Sequence, residues 1–289
     1  AKIMETEEKL KAFREELAEM SKSNGDDTSI VEALTSGKFI GCADVSGSMT
    51  WVGKYPNRPY DIATGMTCFL SQIAAEEYRD IALSFTSDPQ VFSFKQGAYS
   101  MSVKERMEEV VKIGGTSTNY KGLHRAVLNI CESNNVKSED IPVIVVFTDG
   151  EFDRMDSTIS EYDYYGGSYK NTGSSVEKWN TIHKDIESMW VSRGFTKIPT
   201  IVYWNLNSES NGVQSTCDYP GVQFLQGRSS NMIKYILYGE SFKETTKVVD
   251  GVEVAVSSIT PYETFRKVMD GNYYDDLLKI LRDSDEGLV

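Results

Sequence analysis

Three residues with oxygen-bearing side chains, Asp44, Ser46 and Ser48, follow directly on an apolar run of the chain. The run, residues 38–43, is bounded by polar and glycine-containing sequence, which predicts a buried strand that opens into a loop at its carboxyl end. Gly47 lets the backbone bend sharply between the three side chains, so that they can turn toward one point. Oxygen donors of this kind suit hard divalent cations, and Mg²⁺ in particular. At this stage the alternative is an ordinary polar turn between a strand and a helix.

Two later loops carry the same chemistry. Thr116 lies in the glycine- and threonine-rich stretch 114–118, between two amphipathic segments. Asp149 follows residues 142–147, a β-branched run without alternation that predicts a central strand buried on both faces. In an open parallel sheet, ligands lie beyond the carboxyl ends of the strands, near the point where the strand order reverses. The three loops therefore predict one metal site at that edge of the sheet.

The pattern of these loops resembles the von Willebrand factor A domain. The metal-ion-dependent adhesion site of that family has the pattern D-x-S-x-S, then a threonine in a G-x-T loop, then an aspartate in a T-D-G loop. The matching positions here are Asp44, Ser46, Ser48, Thr116 and Asp149, in the same order and with similar spacing. The stretch Ala-Asp-Val-Ser-Gly-Ser-Met is more similar to intracellular members, including an uncharacterised family of plants, fungi and giant viruses, than to integrin or collagen-binding domains.

The resemblance implies an α/β, Rossmann-like fold, with a mostly parallel central sheet, one antiparallel edge strand and helices on both faces. It implies a von Willebrand-type domain over residues 36–240. Residues 1–35 are expected to form an amino-terminal helical extension, and residues 241–289 a hairpin and helices packed on the same domain.

The pattern of hydrophobic residues along the chain predicts the individual strands and helices. The predicted strands are residues 38–43, 81–85, 91–94, 142–147, 199–204 and 222–225, with a hairpin at 247–254 about an Asp-Gly turn. The predicted helices are residues 2–20, 61–78, 103–111, 120–131, 176–193, 229–238, 261–269 and 273–282. In the 61–78 helix, Ile62, Met66, Phe69 and Ile73 recur at helical spacing and are expected to face the core.

The charge, the apolar content and the cysteines of the chain indicate which partners and which cellular compartment to expect. The 289 residues include 30 basic and 43 acidic side chains, a net charge of -13, which disfavours direct binding of nucleic acid or of an anionic membrane. The longest apolar run is far shorter than a membrane span. The four cysteines form no C-x-x-C motif and there is no Asn-x-Ser/Thr sequon. We therefore expect inert thiols and an intracellular, cytoplasmic protein.

Residues 153–175 form an insertion rich in Tyr, Gly and Ser immediately after the Asp149 loop. Tyrosine gives a large contact area at a low cost in conformational entropy, so the insertion is either a recognition lid or a plain surface loop.

The resemblance implies a protein-interaction module in which Mg²⁺ or Mn²⁺ is completed by an aspartate or glutamate of a partner protein. The chain is then not an enzyme. The alternatives are a Mg²⁺-dependent hydrolase of phosphoesters and, by analogy with the Ro autoantigen, a scaffold subunit of an RNA–protein particle. Against the hydrolase, the chain has no P-loop motif and no convincing general base, and its two histidines, His124 and His183, are expected to have surface or packing roles.

Overall fold

The computed structural model describes residues 37–50, 58–113, 119–150, 162–163, 168–169, 175–207, 219–228, 244–257, 260 and 262. The expected helices at 2–20, 229–238 and 273–282, the expected helix at 261–269 apart from residue 262, almost all of the insertion at 153–175, and Cys217 lie outside these residues.

Twelve strands and four α-helices make up the described part of the chain. The strands are β1 Phe39–Asp44, β2 Ile81–Phe85, β3 Val91–Ser93, β4 Lys95–Gln96, β5 Tyr99–Ser100, β6 Val143–Thr148, β7 Tyr162–Asp163, β8 Ser168–Tyr169, β9 Ile201–Asn205, β10 Val222–Gln226, β11 Glu244–Val249 and β12 Val252–Ser257. The helices are α1 Pro59–Ile73, α2 Val103–Val111, α3 Tyr120–Ser133 and α4 Ser175–Ser192, with 3₁₀ turns at Gly47–Thr50 and Ser138–Asp140.

Six strands form the central sheet, in the order β10-β9-β6-β1-β2-β3. All neighbours are parallel except β2 and β3, so β3 is an antiparallel edge strand. Every residue of β1 and β6 is buried, as expected of central strands covered on both faces. The expected mostly parallel α/β sheet with one antiparallel edge, of the Rossmann-like type, is confirmed.

Helices cover both faces of this sheet. On one face, α1 approaches β1 so closely that a Cβ added to Gly41 would lie 3.2 Å from the Cα of Thr67, and α2 packs beside α1. On the other face, α3 places Tyr120 against Phe85 of β2 and Tyr203 of β9, with ring centroids 4.5 and 5.4 Å away. Among the described residues, none of the helices has the length and apolar content that a bilayer crossing requires.

Two details of α1 differ from expectation. The helix ends at Ile73 instead of continuing to residue 78, since Ala74 already has extended backbone angles. Ile62, Met66 and Phe69 are only partly buried, whereas smaller residues of α1, such as Ala63 and Thr67, are fully buried. Where α1 comes closest to β1, at Gly41, the contact is made by Thr67, so Ile62, Met66 and Phe69 lie beside it, whereas Ile73 is buried as expected.

The carboxyl-terminal hairpin packs against the described core. Asp250 and Gly251 both have positive φ, 49° and 80°, as a two-residue turn of this kind requires. The amide of Ala255 in β12 donates to the carbonyl of Thr196, and the amide of Ile198 donates to the carbonyl of Ala255. Lys247 of β11 pairs with Glu187 of α4.

Candidate metal centre

The strand order reverses between β1 and β6. From β1 the chain passes to β2 on one side and later returns to β6 on the other. Ala43 is paired with Phe147, so the next residues, Asp44 and Thr148, end their strands side by side. Because the crevice at such a reversal is where α/β sheets bind ligands, the loops that follow Asp44 and Thr148 border the candidate site.

Asp44 is fully buried, and both of its carboxylate oxygens accept hydrogen bonds. The amide of Ser46 donates to Oδ1 at 2.9 Å, and the hydroxyl of Thr148 donates to Oδ2 at 2.8 Å. The first bond curls the loop after β1 back on itself, and the second joins that loop to the end of β6. Asp44 is therefore held in a fixed orientation by two separate segments of the chain.

A short 3₁₀ turn, Gly47–Thr50, carries Ser48 and begins directly after Ser46. The turn is anchored by Met49, which is fully buried, and closed by a hydrogen bond from the hydroxyl of Thr50 to the carbonyl of Gly47. It brings the hydroxyl oxygens of Ser46 and Ser48 to 3.1 Å from each other. An octahedral Mg²⁺ with ligands at about 2.1 Å places adjacent oxygens about 3.0 Å apart, so this spacing fits two neighbouring ligands of such an ion.

Both carboxylates of the candidate centre are buried, whereas Ser48 beside them is partly exposed. Asp149, directly after β6, is 1% exposed. Burial raises the pKa of Asp44 to about 7, and the charge of Asp149 acts in the same direction, although the hydrogen bonds from Ser46 and Thr148 oppose it. A divalent cation bound beside these two buried carboxylates would offset part of the cost of burying their charge.

Thr116 lies outside the described residues, but the residue that ends its loop does not. The amide of Asn119 donates to the carbonyl of Thr86, 3.0 Å away, and its side-chain amide donates to the carbonyl of Ser87. Thr86 follows Phe85, which is paired with Asp44. The chain therefore leaves the Thr116 loop at the edge of the sheet on which Asp44 lies.

The donor set fits a small, hard divalent cation. Ser46 and Ser48 would supply hydroxyl oxygens, and Asp44 and Asp149 would supply the negative charge. Within the described residues, no group of three or more His, Cys, Asp or Glu side chains is placed to hold a metal ion. The candidate centre therefore depends on hydroxyls and two carboxylates, a set that suits Mg²⁺ or Mn²⁺ better than Zn²⁺.

Both histidines of the chain lie away from this edge. His124 and His183 line a cleft at the beginnings of β9 and β10, beside Pro199 and Gly221. The amino ends of these strands are opposite the carboxyl ends that carry Asp44 and Asp149. Since the chain has two histidines in all, no imidazole is available as a general base at the candidate centre.

The sequence does not indicate the contact that Thr148 makes at the candidate centre. Thr148 belongs to the same Thr-Asp-Gly loop as Asp149, but the residue is 1% exposed and its hydroxyl contacts Asp44, at the end of a different strand. The available signal was its position as the last residue of a strand adjacent to β1, and that signal is visible only when the strand order is known.

No curated protein matches the chain. The crystal structure of the Deinococcus radiodurans RO (RSR) protein is similar at 15% sequence identity and a TM-score of 0.37, over 71% of this chain and 35% of that one. The chain thus spans about a third of that protein. A family model described as Domain of unknown function (DUF7788) matches residues 38–269, a range that includes every strand of the central sheet. The chain therefore belongs to the DUF7788 family.

Proposed function

We propose that the protein is a divalent-cation-dependent interaction module that binds an acidic residue of a partner protein. Mg²⁺ or Mn²⁺ is held at the carboxyl edge of β1 and β6 by Asp44, Ser46, Ser48 and Asp149, with Thr116 as a further ligand from its loop. The bound ion supplies an electrophilic coordination position, which a partner's aspartate or glutamate fills.

The observation that carries this proposal is the hydrogen bond from Thr148 to Asp44, 2.8 Å long. It joins the loops that bear the two aspartates at the one place in the sheet where the strand order reverses. The paired hydroxyls of Ser46 and Ser48, 3.1 Å apart, add two neutral oxygens beside them. With two carboxylates and neutral hydroxyls, a divalent ion keeps little net charge but still attracts an outside carboxylate.

Binding rather than catalysis is supported by what surrounds the candidate centre. Both histidines lie near the amino ends of β9 and β10, whereas the candidate centre lies at the carboxyl ends of β1 and β6. The side chains that contact Asp44 among the described residues are the hydroxyls of Ser46 and Thr148, and the first of these is paired with the hydroxyl of Ser48.

The proposal places the protein inside the cell. Cys42, Cys68 and Cys131 are buried as free thiols, which suits a reducing compartment. The net charge of -13 supports a protein partner over direct contact with nucleic acid or an anionic membrane.

The test is calorimetric titration of chelator-treated protein with Mg²⁺ and with Mn²⁺. We expect saturable binding of about one ion per chain, lost in Asp44→Ala and in Ser46→Ala, because each variant removes a ligand. Ser192→Ala is the matched control, since this serine is exposed on α4 and bonds only to its own helix. Absence of binding by the wild type at millimolar ion would refute the proposal.

A second titration tests the partner chemistry. A peptide with a single glutamate should bind the ion-loaded protein and not the chelated protein, and the Gln version of the peptide should bind neither. Equal binding of the two peptides would show that the ion does not recruit a carboxylate.

A further inference from the structure

The hydroxyl of Thr148 makes two hydrogen bonds at once. It donates to Oδ2 of Asp44 at 2.8 Å and accepts from the backbone amide of Gly150 at 3.2 Å. Because the amide can only donate, the single hydroxyl proton is directed to Asp44. One buried side chain therefore fixes the carboxylate at the end of β1 and the backbone turn at the end of β6.

We call these two hydrogen bonds of the Thr148 hydroxyl, to Asp44 and from Gly150, the clamp. Asp149 lies in the chain between Thr148 and Gly150. Gly150 has a φ of 76°, in the left-handed region that favours glycine. The bond from Gly150 to Thr148 closes this turn, which determines where the backbone of Asp149 lies. The Thr148 hydroxyl thus sets the position of Asp149 relative to Asp44.

From this geometry we propose that Thr148 determines which divalent ion the centre accepts, favouring small ions over Ca²⁺. Mg²⁺ needs oxygen ligands at about 2.0–2.1 Å in nearly octahedral geometry, whereas Ca²⁺ takes ligands at about 2.3–2.6 Å in a flexible cage. A clamp that holds the two aspartates at one separation matches the smaller ion and resists the expansion that Ca²⁺ requires. The inference rests on the proposed function, and Thr148 acts on the ion through Asp44 and Asp149 as a positioning residue.

The test compares Thr148→Val, which keeps the shape and removes the hydroxyl, with Thr148→Ser, which keeps the hydroxyl. Mg²⁺, Mn²⁺ and Ca²⁺ are titrated separately into chelator-treated protein. Loss of a side chain that orients metal ligands typically lowers affinity about 10–100-fold. We expect Thr148→Val to lose this much for Mg²⁺ and Mn²⁺ and much less for Ca²⁺, so that the ratio of Mg²⁺ to Ca²⁺ affinity falls about tenfold or more, while Thr148→Ser keeps the wild-type ratio.

Two further variants make the result decisive. Thr67→Val is the matched control, because Thr67 is also a buried threonine but its hydroxyl has no hydrogen-bond partner in the described structure; its ion ratio should equal that of the wild type. If Thr148→Val does not fold, Thr148→Ala removes the same hydroxyl without placing a methyl group against Asp44, and the same fall in ratio is expected.

The outcomes separate this inference from the proposed function. A wild type that binds none of the ions overturns both. A wild type that binds, with a Thr148→Val variant that is unchanged or loses affinity equally for all three ions, overturns the selectivity inference alone.

Discussion

The indole nitrogen of Trp190 lies 3.3 Å from Nδ1 of His124, inside the interface between α3 and α4. An indole N–H can only donate, so Nδ1 of His124 accepts and the proton of the neutral imidazole is on Nε2. That Nε2–H is buried and has no hydrogen-bond partner within the described structure. The tautomer of this histidine is thus determined by its neighbour, and a second proton would have to sit on Nδ1, which faces the Trp190 N–H donor.

Acid should therefore destabilise the protein through His124. Burial, and secondarily the charge of His183, lowers the pKa of His124 to about 3 from its ordinary value of 6.5. Between these two values the unfolded chain takes up a proton that the folded chain excludes, so the free energy of unfolding should fall by up to about 1.4 kcal/mol per pH unit as the pH drops from 6.5 toward 3. Above pH 6.5 this group contributes no pH dependence.

Urea unfolding at pH 7.5, 6, 5 and 4 measures this effect. The comparison is with His124→Gln, which cannot titrate but leaves His183 in place. The stability of the wild type should fall more steeply than that of the variant. Parallel curves would show that His124 does not titrate between the two states.

Asp44→Asn should stabilise the protein in the absence of divalent ions. The amide removes one of two buried negative charges, and its oxygen can still accept from the Ser46 amide. We expect a gain of about 1–3 kcal/mol in chelator, together with loss of any stabilisation by Mg²⁺, because burial of an uncompensated charge is costly.

Thermal unfolding with and without Mg²⁺ provides the measurement. The control is Asp185→Asn, which breaks an exposed ion pair with Lys121 and should change stability little. A variant that is less stable than the wild type in chelator would mean that the Asp44 charge is compensated by the protein alone.

Thr67→Val should also be stabilising. The Thr67 hydroxyl is buried in α1 and lacks a partner among the described residues, and valine has nearly the same shape. Removing an unsatisfied polar group recovers part of its desolvation cost, about 1 kcal/mol. Urea unfolding tests this, and a loss of stability would indicate a hydrogen bond to a buried water.

Gly41→Ala should destabilise the fold. The new Cβ would lie 3.2 Å from Cα and 3.4 Å from the carbonyl oxygen of Thr67, both backbone atoms that cannot rotate away. Forcing β1 and α1 apart is expected to cost about 1–3 kcal/mol. Gly65→Ala is the opposite control, since its Cβ meets nothing within 4 Å and alanine favours a helix by about 1 kcal/mol. Equal effects of the two changes in urea unfolding would contradict the close contact.

The sequence predicts most of this fold because the helices have apolar residues at helical spacing and the central strands are short continuous apolar runs. The strand ending at Asp44, the helix Val103–Val111 and the Asp-Gly hairpin agree with expectation to within a few residues. The end of α1 is different. Apolar residues continue to Tyr78, but they are held by tertiary contacts, such as the hydrogen bond from the Tyr78 hydroxyl to the carbonyl of Asp140. Local periodicity does not distinguish a helix from a packed turn at such a place.

The sequence indicates which residues border the candidate centre, but not the hydrogen bonds that join them. Asp44, Ser46, Ser48 and Asp149 have side-chain types that indicate a hard cation wherever they converge. The hydrogen bond from Thr148 to Asp44 depends on β6 lying beside β1. Likewise, which side chains of α1 are buried depends on how closely this helix approaches Gly41. Both are properties of packing between segments that are distant in the sequence.

Asp44 and Thr148 are 104 residues apart in the chain, and their hydrogen bond closes the candidate centre. A cage assembled from such distant segments does not exist until β6 has docked on β1, and we expect this docking to come late because a loop of about 100 residues must close first. An ion bound there would stabilise the finished native state and not the transition state for folding. Added Mg²⁺ would therefore slow unfolding of this protein and leave its folding rate nearly unchanged.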